Sequence, residues 1–561
     1  MSVRKLAPLN VVLCWHMHQP EYRDPLSGEY IQPWTYLHAI KDYTDMAAHL
    51  EANPKARAVV NFVPLLLEQI DDYGQSLRAH LDQGAPLKDP LLAALSEIPP
   101  SASGRAELIR KCLRANGERI IAPHPPYAQM AALGRLALDN RGVITYLDEN
   151  YYFDLVVWYH LAWMGETVRR ADPRLAVLET QGHAYSASQR RLLLSIIAGQ
   201  IQGLIPRYRA LAESGRVELS MSPYSHPMLP LLLDFQVTRE AVPEAPLPHG
   251  QYPGGEERVC WHLARGRKVF EHYFGQSPKG CWPSEGGVSS ATLRAIADSG
   301  FSWVASGGNV LKTSLHSLQA EPYEACLHSA WKLDKVPLHC FFRDDGLSDL
   351  IGFQYKDWHA DDAVANLVGH LEQIAALCPD PHNVAAIILD GENAWEHYPS
   401  NGYHFLHALY ERLSSHPRLN LTTFGALVKK YPRTDILPQL VAGSWVYGTF
   451  STWMGDKDKN RAWDMLVAAK QAADQALPQL DPVNRDAVLH QLAICEGSDW
   501  FWWLGEYNAA DTVADFERLY RLQLARLYRM IGQPEPEYLD TVFARGGGDP
   551  ALGGAMRPGN Q

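Results

Sequence analysis

The sequence predicts an α/β fold built on a parallel sheet, followed by a helical C-terminal domain. Short apolar runs alternate with longer amphipathic stretches from Leu9 to about Arg433, which is the pattern of repeated βα units. Most candidate strands are apolar throughout, as strands covered on both faces are. After Pro432 the apolar residues recur with helical spacing. A chain of 561 residues has room for one large body and an appended domain.

The predicted strands determine which side chains can meet in the folded chain. They are Val11–Trp15, Ala58–Phe62, Val217–Met221, Gly280–Trp282, Trp303–Ala305 and Val384–Leu389. Amphipathic stretches between them predict helices such as Leu192–Glu213 and Ser290–Ser299. We expect the first of these helices to be kinked or broken at Pro206, because proline lacks the N–H that a helix interior needs.

The C-terminal region carries two clear helical patterns, Asn460–Leu477 and Thr512–Ile531. Asp511 is the expected N-cap of the second helix and Gly532 is expected to end it. We divide the chain into a βα region at residues 1–433, a helical domain at 434–545 and a tail at 546–561. The tail is rich in glycine and proline and poor in apolar residues, which predicts disorder.

Charge and cysteine usage narrow the partners and the compartment. The net charge is −12 and the pI is near 6.0, which argues against nucleic acid and anionic membrane surfaces because both need clustered Lys and Arg. No apolar stretch approaches a signal sequence or a membrane span. The eight cysteines are scattered without Cys-x-x-Cys spacing, so neither disulfides nor a zinc ribbon is implied. We expect a cytoplasmic protein with a neutral partner.

Polar, titratable side chains follow three of the predicted strands at the point where each strand ends. His16 and His18 follow the first strand, Glu285 follows the fourth, and Asp390 follows the last. In α/β barrels the carboxyl ends of the strands form the rim on which active sites are assembled. We therefore expect these side chains to belong to one site.

Two carboxyl groups at one rim are the equipment for cleaving a glycosidic bond, in which one attacks or assists at the anomeric carbon and the other donates a proton to the leaving oxygen. Glu285 and Asp390 suit these roles in kind. The alternative is that each carboxylate only caps a following helix. Glu392 and Glu396 lie on the same predicted loop as Asp390 and are rivals for an acid or positioning role.

His16 and His18 allow a second interpretation, because alternate residues of a strand share a face and two imidazoles could bind a metal ion. A metal-dependent hydrolase would want further ligands at other strand ends. Other histidines, such as His183, His226 and His262, lie in less regular surroundings. We favour hydrogen bonds from both histidines to a sugar, and a plain buried pair is the remaining alternative.

Aromatic residues are concentrated in the C-terminal region, which holds six of the 16 tryptophans between Trp445 and Trp503. The apolar face of a sugar stacks on a flat ring while its hydroxyls need polar groups nearby, such as Asp499, Glu506 and Asn508. A tryptophan-rich domain interface is the alternative. We expect at least one of Trp500, Trp502 and Trp503 to face a sugar, since one helical turn cannot aim all three the same way.

Taken together, five segments of the chain resemble glycoside hydrolase family 57, a family of α-glucan-active enzymes, between Trp15 and about Tyr538. They occur in the family's order and are Trp15-His16-Met17-His18-Gln19-Pro20, Gly215-Arg216-Val217-Glu218-Leu219, Trp282-Pro283-Ser284-Glu285, Leu389-Asp390-Gly391-Glu392-Asn393 and Gly497-Ser498-Asp499-Trp500-Phe501-Trp502-Trp503.

The resemblance implies a distorted (β/α)7 barrel followed by C-terminal helices, with residues 1–433 as the catalytic barrel and residues 434–545 contributing to the substrate cleft. It implies a retaining double displacement without a cofactor or metal. Glu285 is then the nucleophile and Asp390 the acid/base, which requires a raised pKa of Asp390, through burial and the charge of Glu285. The residues expected near the sugar are His16, His18, Glu218, Trp282 and Asp499, with Trp500 and Trp503 as further substrate-binding residues.

The expected partner is an α-glucan polysaccharide or a maltooligosaccharide, and the sequence does not fix an oligomeric state. Stretches 37–43 and 343–349 are most similar to the amylase-like members of the family, which predicts an α-amylase cleaving internal α-1,4 bonds. The residues around Glu285 differ from those of transferase-type members. A 1,4-α-glucan branching enzyme or a 4-α-glucanotransferase is the alternative, and a non-catalytic glucan-binding protein or the metal-dependent hydrolase is more distant.

Overall fold

A computed structural model describes residues 7–319, 327–432 and 434–548 of the chain. Its strands are β1 Leu9–Met17, β2 Ala58–Phe62, β3 Val217–Met221, β4 Gly280–Cys281, β5 Trp303–Gly307, β6 Trp331–Leu333, β7 His339–Arg343, β8 Val384–Asp390, β9 Leu419–Thr422 and β10 Asp435–Leu437. Seven of them, β1, β2, β3, β4, β5, β7 and β8, pair in parallel and close into a barrel through the β8–β1 and β7–β8 ladders. The predicted fold class is confirmed.

Helices surround the barrel and continue beyond it. The α-helices are Trp34–His38, Thr44–Ala52, Pro64–Gln83, Pro90–Ala93, Ala102–Leu113, Pro125–Asp139, Glu149–Trp163, Glu166–Ala171, Pro173–Gln181, Ala187–Glu213, Leu229–Leu233, Thr238–Ala241, Gly255–Phe274, Ser290–Asp298, Gly308–Ser317, Asp345–Asp349, Ala360–Leu377, Tyr403–Ser415, Phe424–Lys430, Lys457–Ala476, Pro482–Cys495, Ser498–Trp503 and Ala510–Met530. No helix among the described residues is long and apolar enough to cross a membrane.

All six predicted strands are present, two of them with the predicted bounds, but a seventh barrel strand was missed. That strand, β7, begins at His339 and ends at Arg343, so polar residues bound a short apolar centre. A charged residue at the end of a short apolar run does not indicate a buried strand in the sequence. Arg343 can nevertheless be buried, because its charge is paired with the side chains of Asp345 and Asp349. The predicted strand Gly280–Trp282 is one residue too long, because β4 ends at Cys281.

Two helix predictions need correction. The helix Ala187–Glu213 continues through Pro206 without a break, because packing on its neighbours Pro64–Gln83 and Thr44–Ala52 outweighs the loss of one backbone hydrogen bond. The helix Ala510–Met530 has Ala509 as its N-cap, and Asp511 lies in its first turn instead. There its carboxylate still faces the positive end of the helix dipole.

The barrel interior is filled with apolar side chains at the level of the strand centres. Strand residues that alternate inward supply this layer, among them Val12, Cys14, Val59, Trp303, Ala305, Phe341, Ala386 and Ile388. Following the same alternation toward the carboxyl ends, the inward positions become polar: His16 in β1 is paired with Asn61 in β2 and with Asp390 in β8. The packed interior therefore forces polar chemistry to the carboxyl rim of the barrel.

A buried ion cluster fastens the C-terminal helices to the barrel. Glu496, at the end of the helix Pro482–Cys495, accepts hydrogen bonds from Arg258 at 2.7 Å and 2.8 Å and lies 2.6 Å from Nε2 of His262. Tyr252 also donates to it. Burial alone would raise the pKa of Glu496, but the charge of Arg258 and the contact with His262 outweigh burial and lower this pKa to about 2.

This cluster predicts that Glu496→Gln destabilises the protein by roughly 3–5 kcal/mol, because the change leaves Arg258 buried without its counter-charge. The folded-state pKa of Glu496 is lower than its ordinary value of 4.5, so its contribution is present above about pH 4.5 and is lost as the pH falls toward about 2. Urea unfolding of wild type and variant at several pH values measures this. A gap in the free energy of unfolding that stays constant down to about pH 2 would contradict the assignment.

Candidate active site

Glu285 follows β4 in a short turn and is buried beneath the rim. Its backbone is left-handed, with φ 58° and ψ 23°, a conformation that is costly for a residue with a side chain and that recurs at functional sites. Ser498 donates a hydrogen bond of 2.9 Å to Oε1, and Trp445 Nε1 donates one of 3.1 Å to Oε2. Both oxygens thus have a fixed donor, which suits an anion in a defined orientation.

Asp390 is the last residue of β8 and lies beside His16 in the register of the sheet. Asn393 donates a hydrogen bond of 2.9 Å to Oδ2. Burial raises the pKa of Asp390 to about 6, and Asn393, His18 and Arg343 lower it in part. The expected rise in this pKa is present with burial as its main cause, whereas the charge of Glu285 is not among its causes.

Burial also raises the pKa of Glu285, to about 8, and the charges of Asp499 and then Asp390 add to the rise. If these pKa values alone decided, a single proton shared by the two carboxyl groups would reside mainly on Glu285, whose pKa is the higher. The hydrogen bonds favour the opposite placement, because both oxygens of Glu285 accept from fixed donors and one amide donates to Asp390 within the described residues. We base the roles on these donors, since an attacking carboxylate must be ionised.

These pKa values predict a bell-shaped pH dependence of kcat/KM, with limbs near pH 6 and pH 8. The active form carries one proton on the pair: below the lower limb both carboxyl groups are protonated, and above the upper limb neither is. Asp499→Asn should move the profile to lower pH, because the charge of Asp499 raises the pKa of Glu285, one member of the pair. A profile that is flat between pH 5 and 9 would contradict the pairing of these two groups.

Three imidazole rings form a stack beside the carboxyl groups. The ring of His226 lies 4.0 Å from that of His18 and 5.0 Å from that of His16, centroid to centroid. Burial lowers the pKa of His16 and of His226, and neighbouring histidines lower both further. Both rings are therefore neutral at pH 7, and their Nε2 atoms are buried without a partner among the described residues. A neutral imidazole nitrogen can accept or donate a hydrogen bond to a hydroxyl group.

His226 connects this stack to Glu285. Its Nδ1 lies 2.9 Å from Ser498 Oγ and 3.7 Å from Oε1 of Glu285. When Ser498 donates to Glu285 it must accept from His226, so the hydrogen bond fixes the tautomer with its proton on Nδ1. Nε2 of His226 is then an acceptor, available to a hydroxyl group of a bound molecule.

Asp499 follows Ser498 and contacts His18, whose Nε2 lies 2.9 Å and 3.0 Å from the two carboxylate oxygens. His18, His226 and Asp499 each offer one ligand atom, and these atoms lie within 4.8 Å of one another. They are the residues that could hold a metal ion. The rings of His18 and His226 are stacked at 26°, however, so their lone pairs run side by side instead of converging on one point as tetrahedral zinc requires.

The structure brings most of the predicted site residues together but not all. His16, His18, Asp499, Glu285 and Asp390 share one site, and fully buried Trp282 packs beneath it, 5.2 Å from the ring of Trp445.

Glu218 is not among them. It is paired with Val59, one inward position below Ser220 and Asn61. It accepts hydrogen bonds from Trp303 and from the backbone of Gly425. These two hydrogen bonds hold it one inward position deeper than the side chains of the rim.

The tryptophans predicted to face a sugar mostly pack inside the helical domain. Trp500 is buried, donates to the carbonyl of Ile494 at 2.7 Å and stacks on Tyr520. Trp503 is partly exposed and stacks on Phe516. Trp500 therefore has packing partners on its ring and almost no exposed surface in this structure. Trp502 is buried as well.

Of the two rivals of Asp390, the structure buries Glu392 and leaves Glu396 partly exposed beside His397. Glu392 accepts a hydrogen bond of 3.3 Å from Gln19. Burial and the charge of Asp390 raise its pKa well above 4.5, which favours the protonated form of this carboxyl group next to the site. Glu392 therefore remains a candidate positioning residue for Asp390.

Sequence reasoning missed four members of the site: His226, Ser498, Trp445 and Arg343. The sequence could have indicated His226, because this residue lies on the loop that follows β3, just as Glu285 lies after the end of β4. Arg343 ends β7, the strand that was not recognised. Trp445 lies on a loop and Ser498 begins the helix Ser498–Trp503, both outside the barrel strands, where no periodic pattern marks a residue as facing the rim.

Comparison with known proteins agrees with this architecture. The family model described as "Glycosyl hydrolase family 57" matches residues 12–439, while no curated protein sequence matches the chain. A branching enzyme of that family from Thermococcus kodakaraensis has a similar fold (TM-score 0.55, 14% identity, 93% of this chain and 90% of that chain covered). So has an α-amylase from Thermotoga maritima (TM-score 0.54, 13% identity, 94% and 97% covered). A 4-α-glucanotransferase from Thermococcus litoralis is similar over 93% of this chain and 60% of its own (TM-score 0.53, 13% identity).

Proposed function

Because the chain belongs to glycosyl hydrolase family 57, an enzyme family acting on α-glucans, we propose that it is an α-amylase that cleaves internal α-1,4 bonds of starch- or glycogen-type polymers. The reaction is a retaining double displacement with Glu285 as nucleophile and Asp390 as acid/base. The observation that carries this proposal is the pair of buried carboxyl groups at one rim, one of them held by two hydrogen-bond donors.

In the first step Asp390 gives its proton to the glycosidic oxygen while an oxygen of Glu285 forms a bond to C1 and the bond from C1 to the leaving oxygen breaks. The hydrogen bond from Asn393 engages Oδ2 of Asp390, which leaves Oδ1 to hold the proton. Ser498 and Trp445 keep Glu285 oriented. In the second step Asp390 takes a proton from water, the water oxygen bonds to C1, and Glu285 leaves as a carboxylate.

The remaining site groups are proposed to bind the reacting sugar. The Nε2 atoms of His16 and His226 and the carboxylate of Asp499 suit hydroxyl groups, and the partly exposed ring of Trp503 suits an apolar sugar face. An α-glucan polysaccharide or a maltooligosaccharide is the proposed partner. The site requires no cofactor in this mechanism, and we propose a cytoplasmic location, in keeping with the free thiols of the cysteines among the described residues.

Product analysis after incubation with amylose tests the activity. Short linear maltooligosaccharides, seen by chromatography together with a rise in reducing ends, support hydrolysis. New α-1,6 signals in NMR spectra without a rise in reducing ends would identify a branching enzyme, and a redistribution of chain lengths without either would identify a glucanotransferase. The Glu285→Gln variant is the matched control and should form no product.

Metal handling separates this proposal from a metal-dependent hydrolase. We expect full activity after dialysis against EDTA, because both steps are carried by side chains. Added Zn²⁺ should not raise the activity, since the stacked rings of His18 and His226 do not converge on one point as tetrahedral zinc requires. Activity assays with elemental analysis measure both effects. Loss of activity in EDTA that zinc restores would contradict the proposed mechanism.

A further inference from the structure

A second concave site lies on the same rim of the barrel, outside the catalytic groups. Its walls come from two connections, one from β7 to the helix Ala360–Leu377 and one from β8 to the helix Tyr403–Ser415. Both connections leave the carboxyl ends of their strands, the ends that carry Arg343 and Asp390. The residues that line the concavity therefore lie at the end of the barrel at which the proposed chemistry takes place.

The walls of this concavity are aromatic. Tyr355, Trp358, Tyr398 and Phe405 line it, and they pack on one another, with Tyr355 and Trp358 at 5.4 Å and Tyr398 and Phe405 at 5.3 Å between ring centroids. About 490 Å³ of space lies between the walls, part of it open to solvent. Flat rings around a shallow space are the surface on which the apolar face of a sugar stacks.

Trp358 is the exposed element of this site. Its side chain is 45% exposed, and among the described residues it is the one tryptophan that belongs with the exposed large apolar side chains. A solvent-exposed tryptophan in a concavity, next to a ring that holds it in place, is unusual for packing alone and typical of binding surfaces.

The lining also specifies the charge of the ligand. Among the described residues, the lining contains two histidines, His359 and His404, and no lysine, arginine, aspartate or glutamate. A phosphorylated or carboxylated ligand would leave its charge without a partner here. A neutral ligand with an apolar face and hydroxyl edges fits, because the imidazoles can exchange hydrogen bonds with hydroxyl groups.

A chain of contacts connects this site with the acid/base loop. Tyr398 packs 5.5 Å from Trp395, and Trp395 Nε1 donates a hydrogen bond of 2.9 Å to the carbonyl of Gly391, the residue after Asp390. The concavity thus shares a wall with the loop that carries Asp390. When one segment of a polymer is bound in the active site, a neighbouring segment of the same polymer lies on the face of the protein that carries the concavity.

We propose that the concavity around Trp358 is an auxiliary site that binds a second segment of the α-glucan. The inference rests on the proposed function for the identity of the polymer. The proposal predicts that the concavity strengthens the binding of long substrates alone. A short oligosaccharide in the active site has no second segment to bind there, whereas a polymer gains effective concentration from a second contact.

Kinetics of Trp358→Ala on two substrates test the proposal. We expect kcat/KM for amylose to fall roughly ten-fold more than kcat/KM for a short maltooligosaccharide, a factor that corresponds to about 1.4 kcal/mol of binding. Trp358→Phe, which keeps a flat ring, should recover most of the loss. The matched control is Tyr146→Ala, since this aromatic side chain is 88% exposed but does not line the concavity.

Direct binding separates failure of this inference from failure of the proposed function. Affinity electrophoresis in gels that contain glycogen compares Glu285→Gln with Glu285→Gln/Trp358→Ala, in which the polymer stays intact. Weaker retardation of the double variant supports the auxiliary site. Equal retardation, or an equal loss on short and long substrates, overturns it. A change in oligomeric state on gel filtration would instead identify the concavity as a contact between copies of the chain and also overturn it.

Discussion

Replacing Glu285 by Gln is expected to reduce the turnover of amylose by roughly four orders of magnitude or more, a loss typical for a covalent nucleophile. The amide has nearly the shape of the carboxylate and can still accept from Ser498 or Trp445, so binding should persist while bond formation to C1 stops. Initial rates of reducing-end release measure the effect. Thermal unfolding of the variant verifies that the fold is intact.

The control for this change is Glu506→Gln on the helical domain. Glu506 is exposed and forms an ion pair with Lys457 at the surface, so its neutralisation should leave activity within about two-fold of wild type. If Glu285→Gln retained more than a few per cent of wild-type activity, Glu285 would not be the nucleophile. The proposed double displacement would then need another carboxylate in that role.

Asp390→Asn is expected to slow cleavage of amylose by roughly 10²–10⁴-fold, the usual range for loss of a general acid. An aryl maltooligoside with an acidic phenol as leaving group should lose much less in the first step, because its leaving oxygen needs no proton. Added azide should restore turnover of that substrate, since it bonds to C1 without a general base as the bond from C1 to Glu285 breaks. Rates on both substrates, with and without azide, measure this.

The neighbouring carboxyl groups supply the control for Asp390. Glu396→Gln should leave both rates unchanged, because Glu396 is partly exposed and contacts His397. Glu392→Gln should lower the rate on both substrates to a similar extent, as expected of a buried positioning group. If azide rescued Glu392→Gln and did not rescue Asp390→Asn, the acid/base role would belong to Glu392.

The rule that active-site side chains follow the carboxyl ends of buried strands predicted the centre of the site, because its physical basis is local. In a parallel strand buried on both faces, the polar residues that follow the apolar run lie at the carboxyl rim, and this is where Glu285 and Asp390 are found. The same rule includes His226 after β3 and excludes Glu218, near the beginning of β3.

The tryptophans of the helical domain show where sequence reasoning ends. Trp500 and Trp503 lie in one short helix, Ser498–Trp503, and composition treats them alike. The fold gives Trp500 a buried place against Tyr520 and leaves Trp503 partly exposed. Whether an aromatic ring packs in a core or lines a cleft depends on what other segments cover it, and those segments are distant in the chain.

The sequence by itself determined the parallel α/β architecture, the helical C-terminal region and the two candidate catalytic carboxyl groups, because apolar periodicity and strand ends are properties of neighbouring residues. Only the tertiary structure decided which groups surround Glu285. Ser498 and Trp445 reach it from 213 and 160 positions away, and His226 arrives from another strand end. The seventh strand, the buried ion cluster at Glu496 and the aromatic concavity at Trp358 likewise depend on closure of the barrel. Such contacts form between residues far apart in the chain, where no local pattern records the partner.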